Sequence, residues 1–139
     1  MLIDIKSRLD EPRVRDLLEL AAYDDAEEIA RAYRNDESME LTGFYKDDEL
    51  AGIAGFRMNG TGELLLGHIA VLPERRGKGY GTAILLSLIG LKNPRAIVAE
   101  TDADAVDFYR SVGFAIESLG EKYPGVERFR CTYDCEVEG

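Results

Sequence analysis

The chain has 139 residues, of which 45% are hydrophobic, and it carries a net charge of −10 at pH 7. This length and composition predict a single globular domain, residues 1–139, with one hydrophobic core. The acidic balance argues against nucleic acid and anionic membranes as partners, because both are polyanions that repel a protein of the same sign.

Membrane, secretory and metal-binding classes are also disfavoured. The longest apolar run, residues 83–91, is broken by Ser87 and Gly90 and is shorter than the roughly 18 residues of a membrane-spanning helix. The opening segment MLIDIKSRLD lacks the basic and then apolar order of a secretory signal. Cys131 and Cys135 would lie about 13 Å apart on one strand, too far for a disulfide, and with a single histidine they cannot complete a four-ligand zinc site. We therefore expect a soluble, cytoplasmic protein with two reduced thiols and no metal.

The N-terminal part of the chain predicts one short strand and two helices. Residues 2–6 alternate between apolar and polar side chains, as in a strand. Asp10 is a suitable N-cap for a first helix, and Asp24 or Asp25 is suitable for a second helix that ends near Asn35. Each predicted helix has one apolar face, as expected for helices that cover a core.

Three apolar runs then predict an antiparallel meander over residues 39–45, 50–58 and 63–72. They are separated by KDDE and NGTG, both strong turn signals. The third run contains ELLLGHIAV, which is almost continuously apolar and is typical of a strand buried on both faces. We therefore expect it to be the central strand.

The C-terminal half alternates helices and strands. The run TAILLSLIG is apolar on all sides and predicts a buried helix, and RAIVAE predicts a strand. The segment ADAVDFYRSV has the apolar spacing of a helix, closed by Gly113 with Phe114 packing back over it. Two last strands are predicted at 114–119 and 126–134. The order β-α-α-β-β-β-α-β-α-β-β indicates an α/β fold whose mixed, mainly antiparallel sheet of about seven strands is flanked by helices.

A glycine-rich segment, RRGKGYG at residues 75–81, stands between the predicted central strand and the buried helix. Such a turn exposes backbone N–H groups at a helix N-terminus, where the dipole favours an anion, and Arg75, Arg76 and Lys78 add positive charge. The spacing fits neither the dinucleotide fingerprint G-x-G-x-x-G nor the P-loop G-x-x-x-x-G-K-[ST]. We expect this segment to bind a phosphate or pyrophosphate, although tight packing alone would also explain its glycines.

Two motifs carry a resemblance to a known superfamily. The pattern R-x-x-G-x-G at residues 76–81, directly after IAVLPE, resembles motif A of the GNAT N-acetyltransferases. The segment ADAVDFYRSVGF at residues 103–114 is similar to motif B of the same superfamily. The resemblance implies a GNAT-like domain with splayed central strands, and acetyl transfer from acetyl-CoA, as co-substrate, to a primary amine. Because no cysteine lies in either motif to form an acyl-enzyme, we expect direct attack in a ternary complex.

The resemblance also implies which residues bind acetyl-CoA. Backbone amides from Gly77 to Thr82 would hold the pyrophosphate, with Arg76 at the start of the motif. The end of the central strand would line the pantetheine arm, and the backbone amide of Val71 would bind the thioester carbonyl and the oxyanion. The complete predicted set is Ile69, Ala70, Val71, Arg76, Gly77, Lys78, Gly79, Tyr80, Gly81 and Thr82.

Tyr109 matches the family tyrosine that protonates the departing thiolate, which makes it the candidate general acid. An aromatic residue on an apolar helical stripe is also usual in core packing, so both roles are open. Asp102 stands where many relatives have an asparagine near the pantetheine, and its alternative role is to cap the following helix.

The resemblance does not specify a general base. The positions at which relatives carry a base on the central strand are occupied here by Leu65 and Gly67, neither of which titrates. Glu63, His68 and Glu100 are the remaining candidates, and His68 is expected to face the opposite side of the strand and to be structural. We expect a water relay without one dominant base.

The acceptor amine is expected to be cationic. In the family it enters between the first two helices and the last hairpin, which indicates Tyr23, Asp24, Asp25, Tyr123 and Glu127 as substrate residues. Acidic runs such as YDDAEE are also common at solvated helix starts. A small-molecule acceptor is favoured over a peptide, and a homodimer is left open. The alternatives to an enzyme are a non-catalytic acyl-CoA sensor or interaction module, and a nucleotide-binding domain.

Overall fold

The computed structural model describes residues 2–21 and 25–136. Over these ranges it contains four α-helices and seven β-strands, in the chain order that the sequence predicts. The elements are β1 (Leu2–Asp4), α1 (Pro12–Ala21), α2 (Ala26–Asn35), β2 (Glu40–Lys46), β3 (Glu49–Met58), β4 (Glu63–Val71), α3 (Tyr80–Lys92), β5 (Ala96–Asp102), α4 (Val106–Ser111), β6 (Ala115–Tyr123) and β7 (Val126–Asp134). Short 3₁₀ turns lie at Lys6–Arg8 and Pro73–Arg75. Within the described ranges, none of the helices is both long and apolar enough to cross a bilayer.

The strands form a seven-stranded sheet in the order β1-β2-β3-β4-β5-β7-β6. β4 and β5 pair in parallel, from Glu63↔Ala96 to Leu66↔Ala99. The pairs β1–β2, β2–β3, β5–β7 and β6–β7 are antiparallel. The predicted α/β fold with a mixed, mainly antiparallel sheet flanked by helices is therefore confirmed, and β4 is the central strand, as expected.

Contacts along the chain define two compact units. The N-terminal unit comprises the described residues up to Arg57 together with Gly67–Asn93. The C-terminal unit comprises Met58–Leu66 and the described residues from Pro94 onward. The domain boundaries 1–139 stay a prediction.

The core of the N-terminal unit is built mainly by α1, α2, β2 and β3. Its buried members are Ile5, Leu9, Val14, Leu17, Leu18, Ala26, Ile29, Ala30, Tyr33, Leu41, Leu50, Ile53, Ala70 and Leu72. Apolar residues three and four apart give each helix the face that it buries here. Asp25 caps α2 by accepting a 2.8 Å hydrogen bond from the Glu27 amide. Arg15 of α1 forms ion pairs with Glu27 and with Asp10, which ties the two helices together.

Two predicted burial patterns differ from the structure. The apolar run of β4 predicts burial on both faces, but Gly67 is exposed whereas Leu64 and Leu66 are buried. The run TAILLSLIG in α3 predicts burial on all sides, but the side chain of Leu86 within it is 62% exposed, and that of Leu91 directly after it is 56% exposed. Both differences have one cause: apolar composition makes burial favourable, but a second layer of structure must cover the residue before it is buried.

In the C-terminal unit, α4 is shorter than the helix predicted over residues 103–112 and covers six residues. The carboxylate of Asp102 accepts hydrogen bonds from the amides of Asp104 at 3.0 Å and Ala105 at 3.2 Å. These bonds hold the start of the segment in a turn rather than in the helix. Asp102 therefore does not cap α4, whose N-cap is Ala105 without a side-chain cap bond; it closes the turn that precedes the helix.

The end of α4 has the conformation expected from its glycine. Gly113 has a φ of +99°, in the region that favours glycine. Its N–H donates to the Arg110 carbonyl at 3.2 Å, and the Phe114 N–H donates to the Tyr109 carbonyl at 3.1 Å. These are the two bonds of a Schellman motif, and they bring the Phe114 and Tyr109 rings to a centroid distance of 5.2 Å. The prediction that Gly113 closes the helix with Phe114 packing back over it is therefore confirmed.

Candidate functional site

The loop between β4 and α3 contains two glycines in the left-handed region. Gly77 and Gly79 each have a φ of +78°. Gly79 is also the N-cap of α3, and its carbonyl accepts a 3.0 Å hydrogen bond from the Ala83 amide. A residue with a Cβ is strained at such a φ, so the backbone itself favours glycine at both positions.

The space beside these two glycines is open. A Cβ built on Gly77 or on Gly79 would have no heavy atom of the described chain within 4 Å, apart from the adjoining residues. A ligand can therefore approach the backbone closely at this point. The first N–H groups of α3, a helix of 13 residues, lack acceptors within the helix and lie at the positive end of its dipole. This combination fits an anion such as a pyrophosphate.

The three cationic side chains of the loop are not equivalent. Arg76 and Lys78 are exposed, and Nε of Arg76 donates to the Val71 carbonyl at 3.1 Å. Arg75 instead forms a hydrogen-bonded ion pair with Glu49 at the start of β3. From the sequence, all three cations are expected to bind a polyanion. Arg75 departs from this expectation, because the carboxylate of Glu49 already neutralises its charge.

Ile69–Val71, the predicted pantetheine residues, form the end of β4. Strand β3 approaches them closely at Gly52, where a Cβ would lie only 2.7 Å from the carbonyl oxygen of Ala70. Directly after β4, the Leu72 N–H donates to the Ala51 carbonyl at 2.9 Å. Glycine at position 52 therefore permits the approach of the two strands, a requirement that sequence periodicity does not reveal.

His68 on β4 contacts a buried tyrosine of α2. Its Nδ1 lies 2.6 Å from the hydroxyl oxygen of Tyr33, which is fully buried, and the ring centroids are 5.6 Å apart. Burial raises the pKa of Tyr33, so its hydroxyl keeps the proton at neutral pH. Tyr33 lies over Gly55, where a Cβ would come within 1.7 Å of the hydroxyl oxygen. The contact supports the expected structural role of His68, and it adds Tyr33 and Gly55, which sequence reasoning missed.

Tyr109 lies in the C-terminal unit and is 5% exposed. Its ring packs edge-on against Phe108 and Phe114, with centroid distances of 5.2 Å in both cases. Burial raises the pKa of Tyr109, and so does the negative charge that Cys131 carries once its thiol ionises. The hydroxyl is therefore protonated at neutral pH, as a general acid requires, while the ring also contributes to packing.

The two carboxylate candidates for the base, both in the C-terminal unit, already have partners. Glu63 accepts a 2.9 Å hydrogen bond from the side-chain amide of Asn59. Glu100 lies 3.7 Å from the ammonium of Lys122 and 4.0 Å from the guanidinium of Arg130. Because each carboxylate is engaged within its own unit, the expected water relay stays the preferred prediction.

The predicted substrate residues are only partly described. Tyr23 and Asp24 lie outside the described residues. Asp25 is the N-cap of α2, which agrees with the alternative role of YDDAEE as a helix start. In the C-terminal unit, Tyr123 is 67% exposed at the end of β6, and Glu127 accepts a hydrogen bond from a serine hydroxyl of β6.

The predicted site residues fall into two groups. The N-terminal unit contains His68, Ile69–Val71 and Arg76–Thr82, and Tyr109 belongs to the C-terminal unit. Asp25 also belongs to the N-terminal unit, and the C-terminal unit also holds Glu63, Glu100, Tyr123 and Glu127. In the part of the chain that the structure describes, no group of three or more His, Cys, Asp or Glu side chains is placed to hold a metal ion. Both cysteines of the chain are free thiols.

Comparison with known proteins places these features in a family context. The model of the family described as Acetyltransferase (GNAT) family matches residues 7–114. None of the curated proteins matches the chain. A GNAT-family structure from Desulfovibrio desulfuricans is 22% identical, with a TM-score of 0.79, over 96% of this chain and 98% of that one.

Two further solved structures have the same fold. The ribosomal-protein-S18-alanine N-acetyltransferase from Escherichia coli is 20% identical, with a TM-score of 0.78, over 100% of this chain and 96% of that one. A GNAT family acetyltransferase from Elizabethkingia anophelis with acetyl-CoA bound is 19% identical, with a TM-score of 0.72, over 96% of this chain and 97% of that one. At these identities the likeness shows the fold, and the family match spans both the glycine-rich loop and α4.

Proposed function

The chain belongs to the GNAT acetyltransferase family, and from this membership we propose that it transfers an acetyl group from acetyl-CoA to a primary amine of a small molecule. The observation that carries the proposal is the open space against the backbone at Gly77 and Gly79, at the N-terminus of α3. The Elizabethkingia anophelis structure, which has this fold, contains acetyl-CoA. The same ligand is therefore proposed for this loop, with the pyrophosphate on the amides of Gly77–Thr82.

In the proposed reaction the amine nitrogen attacks the thioester carbonyl carbon directly. The carbonyl oxygen gains negative charge, and we assign its stabilisation to the backbone N–H of Val71. The carbon–sulfur bond then breaks, and the Tyr109 hydroxyl donates its proton to the departing sulfur, later regaining one from solvent. An acceptor that binds as an ammonium must lose one proton before its nitrogen can attack and a second proton after the carbon–nitrogen bond has formed. We assign both protons to water, because Leu65 and Gly67 offer no titratable group.

The acceptor is proposed to be a cationic amine. The candidate residues for its site are Tyr23, Asp24, Asp25, Tyr123 and Glu127, because acidic and aromatic side chains suit an ammonium group. The alternative to a small-molecule acceptor is an amine on a protein or peptide. The Escherichia coli structure with this fold is named a ribosomal-protein-S18-alanine N-acetyltransferase. The cytoplasmic location and a homodimer stay predictions.

A second candidate function is a non-catalytic acyl-CoA-binding module. It is favoured by Leu65 and Gly67, which occupy the positions where relatives carry a base, and by the partners that already engage Glu63 and Glu100. Such a module would keep the loop and bind acetyl-CoA without turnover.

A screen of amines against acetyl-CoA separates these functions. We expect the protein to release CoA thiol with at least one member of a panel of polyamines, amino acids, aminoglycosides and peptide N-termini. Acetyl-CoA binding without thiol release from any amine would favour the non-catalytic module instead. Stabilisation by ATP but not by CoA in a thermal melt would contradict both and favour a nucleotide-binding domain.

The loop assignment predicts that Gly79→Ala abolishes stabilisation by acetyl-CoA. At a ligand concentration about 100-fold above Kd, the wild-type protein should gain about 2.7 kcal/mol in a thermal melt. The variant should lose this gain, because a Cβ at position 79 would occupy the space that the pyrophosphate needs next to the backbone. It should also lose about 1–2 kcal/mol of stability without ligand, because its φ is positive.

Gly120→Ala is the matched control for Gly79→Ala. Gly120 has the same φ of +78° and the same open surroundings, but it lies in β6 rather than in the loop. It should therefore show the same loss of stability without ligand and the full acetyl-CoA gain. An acetyl-CoA gain retained by Gly79→Ala would contradict the loop assignment.

A further inference from the structure

Arg75, the first residue of the glycine-rich segment, is tied to the hairpin formed by β2 and β3. Its guanidinium Nη2 forms a hydrogen-bonded ion pair with Oε2 of Glu49, the first residue of β3. The Arg75 side chain is only 17% exposed, whereas that of Glu49 is 61% exposed. The arginine is thus packed against the protein, and its charge is already satisfied before any ligand arrives.

The other end of the loop is held by the same hairpin. Tyr80 is the first residue of α3, and its ring packs on Phe44 of β2, with centroids 5.3 Å apart. Residues 76–79, which include the two glycines, therefore lie between two side chains, those of Arg75 and Tyr80, that each contact the hairpin.

The hairpin holds Glu49 in a defined position. Asp47 and Asp48 at its turn have φ values of +53° and +64°, as a two-residue type I′ turn requires. Lys46 and Glu49 are paired on either side of this turn. The backbone of Glu49 is therefore set by the hairpin, so its carboxylate can act as an anchor for Arg75.

We propose that Arg75 is a positioning residue: through Glu49 it holds the loop Arg76–Gly79 in the conformation that binds the polyanion. The inference rests on the proposed function of this loop as the acetyl-CoA site. Arg75 would thus act on the ligand indirectly, and Arg76 and Lys78 would be the loop cations that face it. The alternative is that Arg75 leaves Glu49 and binds the polyanion directly.

The substitution Glu49→Gln distinguishes these roles by the sign of its effect. If Arg75 positions the loop through Glu49, the loss of the carboxylate charge weakens the anchor, and we expect the Kd and KM for acetyl-CoA to rise about fivefold to tenfold. The kcat should change by less than about twofold, because no reacting atom is touched. If Arg75 binds the polyanion directly, Glu49 is a competitor, and Glu49→Gln should instead tighten acetyl-CoA binding. Tighter or unchanged binding would overturn the proposal.

Two further variants strengthen the test. Arg75→Gln should weaken acetyl-CoA binding to a similar degree, and the double variant should be no worse than either single one, because both remove the same interaction. The exchanged pair Glu49→Arg with Arg75→Glu should recover most of the affinity if the pair acts as an anchor. It should bind acetyl-CoA worse than either single variant if position 75 contacts the polyanion, since it then presents a carboxylate.

The control is Asp107→Asn, which removes an exposed ion pair with Arg110 in α4. We expect Asp107→Asn to change the melting temperature without ligand as little as Glu49→Gln does, and to leave acetyl-CoA binding unaltered. Amide hydrogen exchange of residues 77–82 in the ligand-free protein supplies a readout that needs no acetyl-CoA. Faster exchange at these amides in Glu49→Gln, and not in Asp107→Asn, supports the inference even if the wild-type protein fails to bind acetyl-CoA and the proposed function is wrong. Unchanged exchange would overturn it.

Discussion

Gly55→Ala should destabilise the protein by about 3 kcal/mol or more, measured by urea unfolding. A Cβ on Gly55 would lie 1.7 Å from the hydroxyl oxygen of Tyr33 and 2.6 Å from its ring carbon Cζ. Tyr33 cannot move aside easily, because it is fully buried in the core of the N-terminal unit and its hydroxyl contacts His68 at 2.6 Å. Overpacking of a dense core without room for relaxation accounts for the size of the effect.

Gly67→Ala is the matched control for this substitution. Gly67 is also a strand glycine of the N-terminal unit, but its Cβ would meet only the carbonyl oxygen of Gly55, at an ordinary 3.7 Å. Gly67→Ala should therefore change the free energy of unfolding by less than about 1 kcal/mol. In a Tyr33→Phe background the loss caused by Gly55→Ala should shrink but remain, because Cζ would still be too close. Equal losses for Gly55→Ala and Gly67→Ala would show that Tyr33 does not occupy this space.

Sequence reasoning predicted the features of this protein that depend on a few neighbouring residues. The glycine-rich turn before the buried helix is visible in one short segment, and the helix end closed by Gly113 and Phe114 follows from the last residues of one helix. The order of strands and helices was likewise predicted from the spacing of apolar residues within each segment. These rules were sufficient for the fold class and for the position of the loop.

The missed features depend on residues that are distant in sequence. Arg75 and Glu49 are 26 residues apart, and Tyr33 and His68 are 35 residues apart. No local pattern connects such pairs, because the register of β3 and the packing of α2 decide which side chains meet. The exposed Leu86 has the same explanation, since apolar periodicity cannot report whether a neighbouring element covers a helix face.

Tyr109→Phe should lower kcat for a genuine acceptor by about 100-fold or more, with the affinity for acetyl-CoA nearly unchanged. The substitution removes the hydroxyl that we assign to the departing sulfur, and leaves the ring. Phenylalanine can keep both edge-on contacts, with Phe108 and with Phe114, and the Schellman turn uses only the backbone carbonyl of residue 109. The melting temperature should therefore move only slightly.

Tyr133→Phe provides the comparison that separates the acid role of Tyr109 from packing. Tyr133 lies on β7 in the same unit, and its ring also packs on Phe114, at a centroid distance of 5.4 Å. Like Tyr109→Phe, the substitution Tyr133→Phe removes a phenol hydroxyl and keeps the ring. No step of the proposed reaction uses the hydroxyl of Tyr133. A kcat that falls in Tyr109→Phe and not in Tyr133→Phe, at similar melting temperatures, supports the proton transfer. If kcat survives within a few-fold in Tyr109→Phe, the proton for the leaving thiolate must come from water, and Tyr109 acts through its ring alone.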